Sequence, residues 1–217
     1  KKVDFSSRPF KAYGDTPEET VYTADTVIIS TGASARWLGL ESETKFQNNG
    51  VSACATCDGF FFQDQDVCVV GGGNSAVEEA LYLSKIAKSV TLIHRRDSLR
   101  AEQILQDRLF ADEKINVIWN STVEEIMGDE TVNKIKLKST EDQSVVELET
   151  NGVFIAIGHD PATSIFKGHV DMDHEGYIKV KPNSTATNIP GVFAAGDVQD
   201  KIYRQAVSAA GMGCMAA

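Results

Sequence analysis

The sequence predicts an α/β protein in which one complete β-α-β unit stands between two less regular flanks. Three observations predict this class. Residues 66–112 read as a strand "DVCVV", a turn "GGGN", a helix "SAVEEALYLSKIA", a strand "SVTLIH" and a helix "RAEQILQDRLFAD". Short strands separated by acidic or Asn/Gly turns follow, and predict an antiparallel meander that returns to a parallel strand, "GVFIAIG". The last flank, which contains "IPGVFAAGD", resembles the first flank, which contains "TVIIS", more than it resembles the middle of the chain.

The order of these elements suggests a domain inserted into another domain. The first flank, residues 1–48, holds the strand "TVIIS", which runs into a small-residue turn. The insert covers residues 49–158. The second flank, residues 159–217, reads as an irregular loop, a short strand "GYIKV", the segment "IPGVFAAGD" and a closing helix in "YRQAVSAAGMGCMAA".

Composition limits the classes of partner. With 217 residues and 42% hydrophobic content, the chain can bury a sizeable core. A net charge of -10, from 31 acidic and 21 basic side chains, argues against nucleic acid or an anionic membrane as the main partner. No apolar run approaches the roughly 20 residues needed to cross a bilayer, and "KKVDFSSRPFK" lacks the apolar core of a signal peptide. We therefore expect a cytoplasmic protein that holds any anionic ligand locally.

The glycine turn of the insert fits a dinucleotide. Gly71, Gly73 and Ala76 form G-x-G-x-x-A between a predicted strand and a predicted helix. In this pattern the first glycine permits a tight turn, the second lets the backbone approach a pyrophosphate, and the small third residue lets helix and strand pack closely. A glycine-rich turn without a ligand is the alternative, and the strand-turn-helix context argues against it.

Three arginines stand where an NAD-binding domain usually has an acid. Arg95, Arg96 and Arg100 lie in "HRRDSLR" at the end of the second strand. Guanidinium groups suit a 2'-phosphate, whereas a carboxylate suits the ribose 2'-hydroxyl, so the sequence predicts NADP rather than NAD. The alternative is a solvated basic patch, which the positive end of the helix dipole disfavours.

A second glycine-acid pair occurs in the last flank. Gly196 and Asp197 directly follow a short apolar strand, at the edge where open α/β sheets bind ligands, and an acid there can accept a hydrogen bond from a sugar hydroxyl. An ordinary Gly-Asp turn is the alternative. Arg204 and Gln205, predicted to open the last helix, favour the ligand site.

Cys54 and Cys57 form a C-x-x-C motif that could bind a metal, close a loop or exchange electrons. A zinc site needs about four Cys or His ligands, and no histidine has a ligand spacing to this pair, so we predict no metal. A disulfide closing so short a loop removes little unfolded-state entropy, which leaves redox exchange. Asp58 can give or take the proton that thiol-disulfide exchange requires; the alternative is that it only stabilises a turn or a helix N-terminus. Cys68 and Cys214 are predicted to be buried small hydrophobes.

Five motifs in order carry a family resemblance: "CATCDG", "GGGNSAVEEA", "HRRDSLRAE", "IAIGHDP" and "GVFAAGDVQDKIYRQA". The chain resembles, over essentially its whole length, the low-molecular-weight NADPH-dependent thioredoxin reductases, which are homodimeric flavoproteins. The resemblance implies a Rossmann-like, three-layer NADPH-binding domain inserted into an incomplete FAD-binding domain of the same type. It also implies a homodimer that acts on thioredoxin, with a nucleotide domain that rotates to present nicotinamide and disulfide to the flavin in turn.

The resemblance also implies residue roles. Members of this family pass a hydride from NADPH to FAD and then electrons to a dithiol, here Cys57 nearer the flavin and Cys54 attacking thioredoxin, with Asp58 as the acid-base residue. The positions implied to hold NADPH are Gly71, Gly73, Asn74, Ser75, Arg95, Arg96 and Arg100. Those implied to help hold FAD are Thr31, Gly32, Asp197, Arg204, Gln205 and Ala206. Further cofactor-binding positions are His94, Ile157, Gly158 and Gly196.

One departure from the family pattern concerns the FAD site. The family's G-x-G-x-x-G unit for the ADP half of FAD lies upstream of the point where this sequence starts, so we expect a fragment that by itself binds FAD poorly. Two other functions remain open from the residues: the flavoprotein of an alkyl hydroperoxide reductase system, and an NADPH-binding module without turnover. A thioredoxin fold is disfavoured because the cysteines precede the nucleotide unit, and glutathione reductase-type enzymes have a longer cysteine spacing.

Overall fold

A computed structural model describes residues 2–17 and 20–217, which divide into two compact units. Unit 1 comprises residues 1–34 and 159–217, and unit 2 comprises residues 35–158. The strands are β1 Lys2–Asp4, β2 Phe10–Tyr13, β3 Val21–Ala24, β4 Val27–Ile29, β5 Ala33–Ala35, β6 Val51–Ser52, β7 Asp66–Gly71, β8 Ser89–Ile93, β9 Ile115–Ile118, β10 Ser121–Gly128, β11 Val132–Ser139, β12 Val145–Glu149, β13 Gly152–Ala156, β14 His159–Pro161 and β15 Val192–Ala194. The α-helices are α1 Glu41–Phe46, α2 Ala55–Asp58, α3 Asn74–Leu83, α4 Gln103–Phe110 and α5 Ala206–Ala216, with 3-10 turns at Gly59–Phe62, Ser164–Phe166 and Gly196–Val198.

Unit 2 is built on a five-stranded parallel sheet in the order β6-β13-β7-β8-β9. Because successive strand residues point to opposite faces, β7 contributes to two cores. Val67 and Val69 pack against α3 and α4, whereas Cys68 and Val70 pack against the antiparallel sheet β10-β11-β12. Helices, parallel sheet and antiparallel sheet therefore form three layers, as predicted for a Rossmann-like α/β domain.

Unit 1 contains a three-stranded antiparallel sheet, β1-β2-β3, and two pairs of strands, β4 with β15 and β5 with β14. The strand "TVIIS" does find a partner, since β15 pairs with it in parallel through Val192, Phe193 and Ala194. The core of unit 1 includes Phe5 and Phe10, whose ring centroids lie 5.5 Å apart in an edge-to-face arrangement.

The structure divides the chain earlier than the sequence predicted. Residues 35–48, assigned from sequence to the first flank, belong to unit 2. Phe46 is buried with Val51 and Ile135 in the core between the two sheets. Because burial of an aromatic side chain contributes about 2 kcal/mol or more, this short helix packs with the insert.

Several element predictions were wrong in detail, including helix α4, which spans Gln103–Phe110 rather than residues 100–112. The closing helix begins at Ala206 because Arg204 has φ +48° and Gln205 is extended, so these two residues precede the helix rather than open it. Helix α3 ends at Leu83, four residues before the predicted end. The segment "GYIKV" forms only an isolated bridge, from Ile178 to Met172.

Candidate functional site

Four loops that carry predicted site residues leave the parallel sheet of unit 2 at one edge. In a parallel sheet the carboxyl ends of the strands lie together, and ligands bind where the strand order reverses. Strands β6, β13, β7 and β8 end at Ser52, Ala156, Gly71 and Ile93. The cysteine loop follows β6 and the glycine turn follows β7, and these strands flank β13, so they run about 10 Å apart. The order reverses between β7 and β13, which places the glycine turn at the switch point.

Cys54 and Cys57 are joined by a disulfide bond with Cα atoms 5.3 Å apart. Cys54 caps helix α2: the Cys57 backbone N–H donates to the Cys54 Sγ at 3.2 Å. An N–H directed at this sulfur favours negative charge on it once the bond is reduced. Cys57 is exposed and Cys54 is half-buried. The disulfide is therefore accessible to solvent, and an attacking thiolate can approach it.

Asp58 is tied to the cysteine loop through Ser52. The Ser52 hydroxyl donates to Asp58 Oδ2 at 2.6 Å, and the Cys54 backbone N–H donates to Ser52 Oγ at 3.1 Å. A carboxyl group within the same turn as both cysteines can give or accept the proton that exchange requires. Sequence reasoning missed Ser52, because a serine two residues before a C-x-x-C matches no established pattern.

The glycine turn has different steric demands at its three positions. A Cβ on Gly71 would overlap the Ala156 carbonyl oxygen and lie 2.6 Å from Cβ of Ala76, and a Cβ on Gly72 would overlap the His94 ring. A Cβ on Gly73 would meet nothing within 4 Å. Packing thus explains the first two glycines, whereas the third faces open space at the start of α3, which has no side-chain cap. This arrangement fits a pyrophosphate lying against the backbone.

His94 supports this turn from beneath. Its buried ring places Nδ1 2.8 Å from the Gly71 carbonyl oxygen and Nε2 3.0 Å from that of Ser98. Burial holds its pKa below the ordinary value, assisted by the charges of Arg100 and Arg96. Both ring nitrogens face backbone carbonyls, so His94 positions the turn and presents no nitrogen to a ligand.

The loop that follows β8 is held against the glycine turn. The Arg100 backbone N–H donates to the Gly72 carbonyl at 2.7 Å, and the Asn74 side-chain oxygen accepts from the Glu102 backbone N–H at 2.9 Å. Asn74 and Ser75 form the first turn of α3. The predicted residues Gly71 to Ser75 and Arg100 are therefore brought together.

The three arginine side chains point to solvent. Arg95, Arg96 and Arg100 are exposed, and within residues 2–17 and 20–217 none of their guanidinium groups forms an ion pair. Their backbone is anchored nonetheless, since the Asn120 N–H donates to the Arg96 carbonyl at 3.2 Å. Guanidinium groups without an acidic partner have the charge and the donors that an added anion requires.

Ile157 and Gly158 follow β13 at the same edge. Gly158 has φ +113°, a conformation that L side chains rarely adopt, and its carbonyl accepts from the Arg36 backbone N–H at 2.9 Å. Ile157 packs against the core between the two sheets. The backbone of Gly158 lies at the carboxyl edge, while the Ile157 side chain is partly used in packing.

In unit 1, Thr31 and Gly32 form a turn next to Ala162. The Thr31 hydroxyl donates to the Ala162 carbonyl at 2.7 Å, and the Ala162 N–H donates to the Gly32 carbonyl at 2.9 Å. Gly32 has φ +74°, and a Cβ there would meet nothing within 4 Å. The turn leaves room for close approach of a ligand to the backbone.

Gly196 and Asp197 also belong to unit 1, where Asp197 is half-buried. Burial raises its pKa, with the nearby Asp200 carboxyl adding to the effect and Arg204 opposing it. No described residue donates a hydrogen bond to the Asp197 carboxylate. A partly desolvated carboxylate of this kind suits a ligand hydroxyl.

Asp200, which sequence reasoning missed, organises the loop before α5. Its buried carboxylate accepts from the backbone N–H groups of Ile202, Tyr203 and Arg204 and from the Ser208 hydroxyl. Burial alone would raise its pKa, but these donors outweigh burial and hold the pKa below the ordinary value. The carboxylate thereby fixes the loop that contains Arg204 and Gln205. Ala206, the first residue of α5, is exposed.

The two remaining cysteines differ from each other. Cys68 is buried, as predicted, and burial raises its pKa to about 12. Cys214 is exposed, so the prediction that it is buried was wrong. Helix α5 is apolar around its whole circumference, and Val207 and Met215 are exposed on it as well, so hydrophobicity alone did not indicate which residues it buries.

After reduction, we expect iodoacetamide at pH 8 to modify Cys54, Cys57 and Cys214 but not Cys68. A raised pKa keeps the Cys68 thiol protonated at this pH, and the core excludes the reagent. Mass spectrometry of the alkylated protein measures this. Labelling of Cys68 at the rate of Cys214 in the folded protein would contradict the burial.

Two further features are absent from the described residues. No group of three or more His, Cys, Asp or Glu side chains within 2–17 and 20–217 is placed to hold a metal ion. In the same part of the chain, no helix is both long enough and apolar enough to span a bilayer.

Comparisons with known proteins agree over the whole chain. The family model described as pyridine nucleotide-disulphide oxidoreductase matches residues 1–213. A thioredoxin reductase of Rickettsia conorii is 58% identical over 220 residues, covering 100% of this chain and 70% of the relative. One of Coxiella burnetii is 54% identical over 224 residues, covering 100% of this chain and 69% of the relative.

Solved structures show the same similarity. A thioredoxin reductase from Giardia duodenalis superposes with a TM-score of 0.93 at 41% identity, over 99% of this chain and 70% of that one. One from Streptococcus pyogenes superposes with a TM-score of 0.88 at 45% identity, over 99% of this chain and 69% of that one.

Proposed function

Because the chain belongs to the pyridine nucleotide-disulphide oxidoreductase family and, within it, to the thioredoxin reductases, we propose that it passes electrons from NADPH through FAD to the Cys54–Cys57 disulfide and on to thioredoxin. One observation carries the proposal: an accessible disulfide with an adjacent carboxyl group leaves the same sheet edge as a glycine turn and three uncompensated arginines. A nucleotide-binding module without turnover would have no use for such a pair.

The glycine turn and the arginines support NADPH as the nucleotide. Gly73 and the first N–H groups of α3 would hold the pyrophosphate, while Arg95, Arg96 and Arg100 would hold the 2'-phosphate. This placement agrees with the space around the glycines: a side chain at Gly71 or Gly72 would overlap its neighbours, whereas Gly73 faces open space. The nucleotide supplies a hydride when bound.

Residues of unit 1 fit part of an FAD site. Asp197 would accept a hydrogen bond from a hydroxyl of the cofactor, and the open backbone at Gly32 would allow close approach. Gly196, with φ +77°, is buried and begins the 3-10 turn that carries Asp197. Thr31, Arg204, Gln205 and Ala206 lie in the two loops that carry these groups. When bound, the flavin accepts a hydride and passes electrons on to the disulfide.

The chain's own contribution to the disulfide chemistry is acid-base and positional. Reduction by two electrons breaks the Cys54–Cys57 bond and leaves two thiolates, each of which can take up a proton. Asp58 would protonate the thiolate that leaves and take the proton back on reoxidation. The Cys57 N–H on Cys54 Sγ favours Cys54 as the thiolate that attacks thioredoxin, in accord with the role that the family resemblance implies.

An exposed aromatic pair next to the disulfide supports a protein substrate. Phe60 and Phe61 are 72% and 74% exposed and directly follow Gly59, whereas Phe62 turns inward onto Phe154. Exposed phenyl rings beside a reactive disulfide offer an apolar docking face for thioredoxin. We further propose a homodimer in the cytoplasm: the family resemblance supports the dimer, and a reactive C-x-x-C suits a reducing compartment.

Replacing Arg95 and Arg96 together with alanine is expected to raise the KM for NADPH about a hundredfold and to leave the KM for NADH within about twofold. The two guanidinium groups would lose charge-assisted hydrogen bonds to the 2'-phosphate, which NADH lacks. Steady-state reduction of thioredoxin measures both constants, with the chain joined to the family's upstream G-x-G-x-x-G unit and loaded with FAD; this is the FAD-loaded protein of the experiments below.

Arg108→Ala is the matched control, because Arg108 lies in the last turn of α4 and is assigned no ligand. Its KM for NADPH should equal that of the wild type. An equal rise for both nucleotides in the double variant would remove the assignment of the 2'-phosphate. If the FAD-loaded wild type reduced no thioredoxin with either nucleotide, the proposed function itself would be rejected.

A further inference from the structure

Ser52 lies between Asp58 and the backbone of Cys54. Its hydroxyl oxygen is 2.6 Å from Asp58 Oδ2, 3.1 Å from the Cys54 backbone nitrogen and 3.5 Å from the Cys54 carbonyl oxygen. Its residue surface is only 8% exposed. Among the described residues, Ser52 is the one hydrogen-bond partner of the Asp58 side chain.

A hydroxyl group at this place can serve Asp58 in both of its protonation states. A serine hydroxyl has one donor and two acceptor positions. The Cys54 N–H occupies one acceptor position in either state. When Asp58 is ionised, the hydroxyl donates to Oδ2; when Asp58 carries a proton, that proton can be donated to the second acceptor position. The hydroxyl hydrogen then turns to the Cys54 carbonyl, which is already within reach.

We propose that Ser52 is the positioning residue of Asp58, a rotating hydroxyl that holds the carboxyl beside the cysteine pair before and after proton transfer. The inference rests on the proposed redox function of Cys54 and Cys57 and adds to it the group through which Asp58 acts. A carboxyl group without this partner would lose its fixed place relative to the sulfurs, and proton transfer depends steeply on that geometry.

The step that Ser52 assists is the reduction of the disulfide. Two electrons from a reductant break the Cys54–Cys57 bond and leave two thiolates. Asp58 delivers its proton to one of them and is protonated again by solvent, while the Ser52 hydroxyl turns back to Oδ2 in the interval. Ser52 itself gains and loses no proton, so its effect appears only when Asp58 is present.

Other titratable groups near the loop must be accounted for in a pH profile. Helix α3 and the 3-10 turn Gly59–Phe62 pack against α2. Helix α3 carries Glu78, Glu79 and Tyr82, whereas the 3-10 turn and the neighbouring strand β13 carry no titratable side chain. Because these groups are the same in every variant, differences between variants report on Ser52 and Asp58.

The test measures how fast dithiothreitol reduces the Cys54–Cys57 disulfide of the protein between pH 6 and pH 9, which requires neither nucleotide nor flavin. Ser52→Ala is expected to slow the reaction about tenfold at pH 7, the factor that corresponds to one lost hydrogen bond to a charged group. Its pH profile should match that of Asp58→Asn. In the Asp58→Asn background, Ser52→Ala should add less than about a twofold change, because the two residues act as one unit.

Two comparisons separate this role from a structural one. Threonine and valine have the same shape, so Ser52→Thr should retain the rate within about threefold and Ser52→Val should lose it as alanine does; this pair decides the matter if Ser52→Ala does not fold. Ser84→Ala removes another buried hydroxyl, which donates to the Leu81 carbonyl at 3.0 Å, and should leave the rate unchanged.

The outcomes distinguish this inference from the proposed function. Equal slowing by Ser52→Ala with and without the Asp58 carboxyl, or equal rates in the threonine and valine variants, would overturn the role of Ser52. If Asp58→Asn itself left the rate and pH profile unchanged, the acid-base role of Asp58 in the proposed function would fail first.

Discussion

Replacing Cys57 with serine is expected to lower NADPH-dependent reduction of thioredoxin at least about a thousandfold. Exchange needs two sulfurs that can form and release a disulfide, and a hydroxyl cannot take the place of either. Cys54→Ser should have an equally large effect, because the pair acts as a unit. Consumption of NADPH by the FAD-loaded variants in the presence of thioredoxin measures both losses.

Cys214→Ser is the control for this experiment, because Cys214 is exposed on α5 and forms no disulfide. It should retain the wild-type rate. Reduction of a small dye that takes electrons directly from flavin should persist in the Cys54 and Cys57 variants, since the glycine turn and arginines are unchanged. A serine variant that kept more than about a tenth of its thioredoxin activity would remove the disulfide from the path of the electrons.

Replacing Gly71 with alanine is expected to destabilise unit 2 by about 3 kcal/mol, whereas Gly73→Ala should cost about 1 kcal/mol or less. The added methyl group at position 71 would overlap a backbone carbonyl of β13, which cannot move without breaking the sheet. At position 73 the methyl group would meet open space. Urea unfolding of the two variants measures the difference.

The same pair of variants tests the nucleotide site. Although Gly73→Ala should fold, its methyl group would stand where the pyrophosphate approaches the backbone, so we expect at least about a tenfold rise in the Kd for NADPH. Calorimetric titration measures this. Wild-type affinity in Gly73→Ala would mean that the turn is not the pyrophosphate site, whatever the stability of Gly71→Ala.

The sequence predicted elements well where pattern and packing act together. Strand β7 is rich in valine and contributes side chains to both cores of unit 2. The G-x-G-x-x-A pattern identifies the turn that follows it. The pattern did not reveal that Phe46 packs into the core of the insert, or that residues 35–48 belong to unit 2. Contacts between residues distant in sequence decide such boundaries, and periodicity does not report them.

Some site residues could be identified from the sequence, whereas others could be identified only from the fold. Cys54, Cys57, Asp58 and the arginines belong to spacings whose chemistry can be read directly. Ser52 and Asp200 act through hydrogen bonds that exist only after the chain has turned back on itself. Cys214 shows the converse, because a small-residue helix looks buried from its composition whether or not anything packs on it.

The most direct test of the central claim counts thiols produced by NADPH. One equivalent of NADPH is mixed anaerobically with the oxidised, FAD-loaded protein, the thiols are trapped with iodoacetamide, and the modified cysteines are identified by mass spectrometry. We predict that each NADPH oxidised yields two new thiols, at Cys54 and Cys57, and that thioredoxin disulfide added before trapping removes both. Oxidation of NADPH without new thiols at these two positions, or thiols that thioredoxin does not consume, would contradict the proposed path of electrons.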